Sequence, residues 1–395
     1  MLERRLILTA LFAGSLLLAP LKVPAQSNVF GSASPATPLA PTPLLPPEGF
    51  TDENGWTWPG TEWKQVSPES EGFSAERLEA LRSFLKTHQT DAMMVISRGH
   101  VVFEYGDLKL VSKVASVRKS MLSLLYAVEM QKGVKFDLDQ TVVQLGLEDK
   151  TPFIEPEQHA TLQQLLMARS GIYLRNGNDE QDKVSPRRGS SYPGVRWFYN
   201  NWDFDAAGLA FEKIAHQDIF DALRDDLAIP LRFQDFDRSR QRKNYIENST
   251  HFEYATYLST RDMARLGLLA ISHGLWGKTL WADPNFLEYS VYPSTNFAGR
   301  NEFKAEGWTG RWGYGMLWWA WEAPVYPGNV WTGPYQGAFS AMGAGGQYIT
   351  AFPSDNLVVV HKVNIDQDPH RNVSEPTYMT ILGMVLDARC EKNCK

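Results

Sequence analysis

The chain has 395 residues, 43% of them hydrophobic and 21% charged, with a formal net charge of −6 and two cysteines. Its mild acidity argues against nucleic-acid binding, because no Lys/Arg cluster is interleaved with aromatics and the basic stretches at Arg187-Arg188 and Arg238 to Lys243 read as solvated loops. The eight histidines show neither a His-Glu-x-x-His nor a Cys/His ligand spacing, so no metal and no cofactor are expected, and a Gly-x-Ser-x-Gly elbow is absent.

Residues 1–25 read as a secretory signal peptide, with basic Arg4 and Arg5, an apolar stretch from Leu6 to Leu18 and a small-residue cleavage site at Val23-Pro24-Ala25. That stretch is short for a membrane span, and no later segment offers about 18 uninterrupted apolar residues, so integral membrane insertion is not expected. The expected location is periplasmic or secreted, with an uncleaved N-terminal anchor as the alternative. Residues 26–60 are rich in Pro, Ala and Thr, and the recurrence of Pro35, Pro38, Pro41, Pro43, Pro46 and Pro47 predicts a linker. Residues 61–395 then form one large domain.

Within that domain, Ser74 reads as an N-cap and Leu78, Leu81 and Leu85 share one face, predicting a helix over 75–88. Ala92 to Ile96 and His100 to Tyr105 are β-prone runs around the turn Ser97-Arg98-Gly99, a predicted hairpin. From Val117, the positions Met121, Leu124, Leu125 and Val128 follow helical spacing until Gly133. Further helices are predicted over Thr161–Met167, over Asp205–Ala215 and after the cap Ser259-Thr260-Arg261-Asp262, making the middle region largely helical. Strands follow over Gln347–Phe352 and Leu357–Val363 about the turn Pro353 to Asn356, and Pro376 opens a terminal helix over Thr377–Ala388. Helices bracketing hairpin-linked strands predict an antiparallel sheet in an α+β fold. Cys390 and Cys394 are able to pair only if that last helix ends near Arg389.

Two motifs carry chemistry. In Ser116-Val117-Arg118-Lys119, three residues of helix put the serine hydroxyl and the lysine amine on one face. A hydroxyl needs a base in reach, and Lys119 serves as one only where its surroundings lower its pKa. The helix start also favours developing negative charge. Ser83-Phe84-Leu85-Lys86 has the same spacing but lies mid-helix, without those donors. The plain alternative for Ser116 is a simple N-cap, and for Lys119 a surface charge. The second motif is Tyr199-Asn200-Asn201, the one place among fifteen tyrosines where Asn follows two residues later. A phenol there can relay a proton, and an Asn amide can orient the lysine and the substrate.

Together with Thr161 to Ile172, Ser259 to Leu269 and Gly313 to Trp319, these motifs resemble the serine β-lactamase-related superfamily, over about residues 61 to 389. The similar branch holds class C β-lactamases, esterases and 6-aminohexanoate-dimer hydrolases. The resemblance implies a β-lactamase/transpeptidase-like fold: an antiparallel sheet flanked by helices, plus a helical lobe, with the reactive serine in the cleft between them. It implies Ser116 as nucleophile, Lys119 as base, Tyr199 as proton shuttle and Asn201 as polar support. Ala344-Gly345-Gly346 stands where the family has Lys-Thr-Gly or His-x-Gly, so the carboxylate-holding cation is missing and β-lactam or D-alanyl-D-alanine turnover is disfavoured. The N–H groups of Gln347 and Ser116 are the expected oxyanion donors, with Gly345 and Gly346 permitting close backbone approach. The tryptophans from 308 to 331 are read either as pocket wall or as core.

The expected activity is that of an exported serine hydrolase forming an acyl-enzyme on Ser116 with a small-molecule ester or amide. A β-lactamase or D-alanyl-D-alanine peptidase, and a catalytically silent ligand-binding protein, are its rivals.

Overall fold

The computed structural model describes residues 45, 47–176, 183–295, 311–322 and 334–390. The expected signal peptide, most of the linker, Trp308, Trp331 and Cys394 lie outside the described residues. A seven-stranded sheet organises the rest. In chain order its strands are β1 (Ala92–Ser97), β2 (His100–Gly106), β3 (Trp312–Tyr314), β4 (Trp319–Trp321), β5 (Phe339–Gly343), β6 (Gln347–Phe352) and β7 (Leu357–Lys362). Their spatial order is β3-β4-β5-β6-β7-β1-β2, every neighbouring pair antiparallel. The expected α+β fold with an antiparallel sheet is the one observed.

Both faces of the central strands are buried, which explains their apolar runs. Alternation along β6 divides its side chains between two layers. Tyr348 and Thr350 face the terminal helix Glu375–Asp387, where Tyr378 stacks on Tyr348 at 3.8 Å and shares a 2.7 Å hydrogen bond with Thr350. Ile349 faces the helix Thr260–Ile271, capped by the Ser259 hydroxyl. There Gly267 allows the closest approach, since a β-carbon would stand 2.6 Å from Val358 Cγ1 and 2.7 Å from Ile349 Cγ2. The helix Ala75–Lys86 packs beside the terminal helix, with Ser74 accepting from the Arg77 N–H as its cap.

The helical lobe holds Val117–Gln131 (α1), Leu162–Leu166 (α2), Asn201–Ala215 (α3) and a π-helical turn over Leu223–Ala228. Helix α1 touches both β5 and α3, so it lies at the junction of sheet and lobe.

Two expectations change. The domain begins before residue 61: Phe50–Thr51 pairs with Thr57–Trp58, and Trp58 is buried with its indole N–H donating to Leu275 O at 3.1 Å. The buried Arg265 guanidinium donates to Gly60 O at 3.1 Å and to Leu231 O at 2.7 Å, tying this segment down. Proline density masked a set of aromatics with enough apolar area to pack. In the middle region, Arg242–Tyr245 and Phe252–Ala255 form a hairpin instead of helix. Its outer strand is polar and partly exposed, so the sequence shows no period-2 apolar pattern there. The terminal helix ends at Asp387, before Arg389, which satisfies the geometric condition set for the tail, and Cys390 is no free thiol.

Candidate active site

Helix α1 is buried along nearly its whole length and stops where Gly133 takes φ 96°, so its first turn is held rigidly. Ser116 precedes that turn with φ −74° and ψ −5°, and its side chain makes no capping bond, leaving the hydroxyl for other use. The preceding Ala115 has φ 46°, a left-handed conformation that costs a non-glycine residue energy and is found where the fold over-determines it.

One turn on, the Lys119 amine meets three oxygens. Its Nζ lies 2.8 Å from Ser116 Oγ, 2.8 Å from Tyr199 OH and 2.7 Å from Asn201 Oδ1. Burial, helped by the adjacent Arg118 charge, holds Lys119 well below the ordinary lysine value. A neutral amine has two N–H groups and one lone pair. Asn201 Oδ1 accepts only, so it takes an N–H, and the lone pair is left to face a hydroxyl. Burial pushes the Tyr199 phenol up to about 12, against the opposing effect of its hydrogen bond with Ser116. The phenol therefore keeps its proton at neutral pH, while the same burial favours the neutral form of the Lys119 amine.

Three supports fix these atoms. Arg118 pairs with Asp205 of α3 at 2.9 Å and lies over the Tyr254 ring at 4.1 Å. A β-carbon at Gly208 would fall 2.8 Å from Tyr254 Cε1, so this stack requires glycine there. Burial raises Asp205 to about 6, with the Arg118 charge opposing. The second support is a buried clasp beneath Tyr199 and Asn201. Asn200 caps α3, accepting from the Trp202 N–H at 3.2 Å, and its amide donates to Ile172 O and Asp203 Oδ1, both at 2.7 Å. The Ser170 hydroxyl donates to Asp203 Oδ1 at 2.5 Å and accepts from the Ile172 N–H at 2.9 Å. Finally, Trp319 stacks on the Tyr199 ring at 5.5 Å, and the Ser120 hydroxyl, one turn from Ser116, donates to Leu317 O at 2.7 Å.

The end of β5 runs past the nucleophile candidate. A β-carbon on Gly343 would stand 3.0 Å from Ser116 N and 2.6 Å from Val114 O. Ala344 and Gly345 line the cleft there, Gly345 at φ 80°. Gly346, at φ 102°, completes the hairpin turn and faces Val363 and Val373 instead. Gln347 is the first residue of the return strand, paired opposite Gly343 and fully buried, with its amide donating to Val363 O at 2.7 Å. The structure thus brings Ser116, Lys119, Tyr199, Asn201 and Gly345 together, and leaves Gly346 and Gln347 aside. The expected oxyanion role of Gln347 is corrected on this ground: Gly345 lines the cleft, but Gly346 completes a turn and the chain has reversed before Gln347. Ser83 and Lys86 are both exposed on their helix and converge on nothing.

Two clefts open on either side of Ser116. One, of about 830 Å³, is lined by Asn201, Lys113, Arg118, Asp205 and Glu253. The other, of about 500 Å³, is lined by Tyr199, Trp319, Met342, Tyr348 and Arg371. Asp203, Asp205 and Tyr254 were not singled out as site residues from the sequence, and Ala344 was read there only as lacking the family's cation. Two acids spaced i, i+2 at the start of an otherwise apolar helix were the available signal for the first two.

A Beta-lactamase family model matches residues 80–383. No curated protein matches the chain at the sequence level. Among solved structures, it is similar to a putative 6-aminohexanoate-dimer hydrolase from Bacillus anthracis, with TM-score 0.54 and 17% identity over 87% of this chain and 88% of that one. A putative β-lactamase from Bacteroides dorei aligns with TM-score 0.58 and 16% identity over 79% and 98% of the two chains. A family VIII carboxylesterase gives 0.54 and 12% over 80% and 99%. At these identities the likeness is one of fold.

Removing the clasp hydroxyl tests its structural share. Ser170→Ala leaves the Ile172 N–H without its acceptor, an expected loss of about 1–3 kcal/mol. Urea unfolding should show a lower midpoint at unchanged slope, and a wild-type midpoint would contradict the clasp.

Proposed function

The chain belongs to the Beta-lactamase family, and within it we propose an exported serine hydrolase that cleaves an ester or amide through an acyl-enzyme on Ser116. The observation that carries this reading is the amine of Lys119 at hydrogen-bond distance from Ser116, Tyr199 and Asn201 at once. In the proposed first step, Ser116 Oγ bonds to the substrate carbonyl carbon while the Lys119 lone pair takes the hydroxyl proton. Tyr199 then hands its proton to the departing oxygen or nitrogen and regains one from Lys119, as the carbonyl–leaving-group bond breaks. Water repeats the sequence, freeing the acid and restoring Ser116. For the oxyanion, the N–H of Ser116 and that of Ala344 replace the pair first expected, because the β5 end adjoins the Ser116 amide.

The proton donor fixes a direction. Tyr199 lines only the aromatic cleft, so the leaving group goes there, and the acyl part lies on the Asn201 side. A substrate ending in carboxylate finds Arg371 in the leaving-group cleft, already paired with Asp91 at 2.6 Å. Uncharged esters and linear amides avoid that competition and are favoured over β-lactams and D-alanyl peptides. The fold likeness takes in a putative 6-aminohexanoate-dimer hydrolase, a carboxylesterase and a putative β-lactamase alike, so this choice rests on the cleft.

A fluorophosphonate probe should label the wild type and Ser83→Ala but not Ser116→Ala. Absence of label on the wild type would favour a silent binding protein. The kcat/KM of ester hydrolysis should fall on acidification as Lys119 takes a proton, with its acid limb below the ordinary lysine value of 10.5. A limb at or above that value would remove Lys119 as the base. Export rests on the basic and apolar pattern of residues 1–25. Mass spectrometry of the mature protein should find Gln26 at its N-terminus, and an intact Met1 on protein retained in the cytoplasm would refute it.

A further inference from the structure

We propose that the Lys113–Glu253 pair is a specificity element, selecting substrates whose acyl chain carries its own hydrogen-bonding group, such as an amide. This rests on the reading of Ser116 as the nucleophile and adds to it the class of acyl group.

The acyl-side cleft is walled by two elements with no part in the catalytic group: the short strand Ser112–Lys113 and the hairpin Arg242–Tyr245 with Phe252–Ala255. Alternation along Phe252–Ala255 sends Phe252 and Tyr254 inward, Tyr254 under Arg118, and turns Glu253 to the cleft. There the Glu253 carboxylate accepts from Lys113 Nζ at 3.0 Å and from Asn244 Nδ2 at 2.8 Å. The two charged side chains are 29% and 30% exposed, so neither is sealed from a ligand. Deeper in the same cleft, Arg118 and Asp205 are almost wholly buried and pair at 2.9 Å through Nη2, with Arg118 Nη1 left without a hydrogen-bond partner among the described residues, while Glu247 lies at the exposed rim.

The cleft therefore presents cationic donors and anionic acceptors side by side, within one space shared with Ser116 and Asn201. An acyl chain bearing an amide offers an N–H to Glu253 and a carbonyl to Lys113, exchanging each water contact for one of equal kind. A plain alkyl chain displaces the same water and returns no hydrogen bond, so the charged pair is desolvated without compensation. Discrimination by unpaired polar groups is the stronger form of specificity in enzyme sites, and partial exposure here limits it to about tenfold. The opposite cleft, with Trp319, Met342 and Tyr348, suits an aromatic leaving group and is held constant in the test.

Two near-isosteric phenyl esters separate the cases: phenyl N-acetylglycinate, with an amide in the acyl chain, and phenyl pentanoate, with none. Phenol release by the full chain gives kcat/KM for each. The expected wild-type result is a preference of about tenfold for N-acetylglycinate. The comparison variant is the double replacement Lys113→Leu with Glu253→Leu, because the two charges act on Lys119 in opposite senses and are removed together. It should bring the two esters within about twofold of each other, chiefly through faster pentanoate turnover, because the desolvation cost of the charged pair is gone. Equal turnover of both esters by the wild type overturns the proposal, as does a preference that survives the double variant. If the wild type releases phenol from neither ester and takes no fluorophosphonate label, the hydrolase reading falls and this proposal falls with it. Turnover without preference overturns the proposal alone.

Discussion

The site depends on one condition: a lysine amine kept out of water and out of reach of an acid. Lysine in solvent holds its proton, and an ammonium has no lone pair with which to accept another. Lys119 is only 2% exposed, and its three polar neighbours are two hydroxyls and an amide oxygen, none of them anionic at neutral pH. A carboxylate in any of those places would restore the charge. The nearby Asp205 is instead paired with Arg118, whose own charge offsets the pull of that carboxylate on Lys119. The same burial that weakens the lysine as a cation raises the Tyr199 phenol, which is what the proposed roles of base and proton carrier require.

The fold supplies that condition by convergence. Helix α1 brings Ser116 and Lys119, the entrance of α3 brings Tyr199 and Asn201, and the end of β5 covers the far side. Each is anchored by polar bonds that are themselves buried: Ser120 to Leu317 O, Ser170 and Asn200 to Asp203, Gln347 to Val363 O. Buried networks of this kind fix geometry because each unmade bond is costly. The glycines do the complementary work at Gly208 and Gly343, where a side chain would collide with Tyr254 or with the Ser116 amide.

Much of this was legible in the sequence wherever the signal was local. Ser74 and Ser259 each cap the helix expected of them, a helix starts after Thr161 as expected, and the strands on either side of Pro353 to Asn356 pair about the expected turn. Ser116 and Lys119 needed only helical spacing to be brought together. Tyr199 and Asn201 lie eighty and eighty-two positions further on, and motif resemblance rather than periodicity tied them to Lys119. What failed to show was non-local. Gln347 was misplaced because two successive glycines mark either a close approach or a reversal, and the sequence does not say which. The hairpin bearing Glu253 and Tyr254 escaped because its partner strand Arg242–Tyr245 is polar throughout and the alternation of Phe252, Glu253 and Tyr254 is too short to stand out. The folded segment before residue 61 was hidden by its prolines.

Protonation of the Lys119 amine is the quantity on which the account turns, and heteronuclear NMR with ε-carbon-labelled lysine reads it directly. Assigned by its loss in Lys119→Arg, the Lys119 signal should titrate well below the ordinary lysine value of 10.5. A Lys119 signal titrating at or above 10.5 would mean a charged amine at working pH, and the geometry around Ser116 would then have no base.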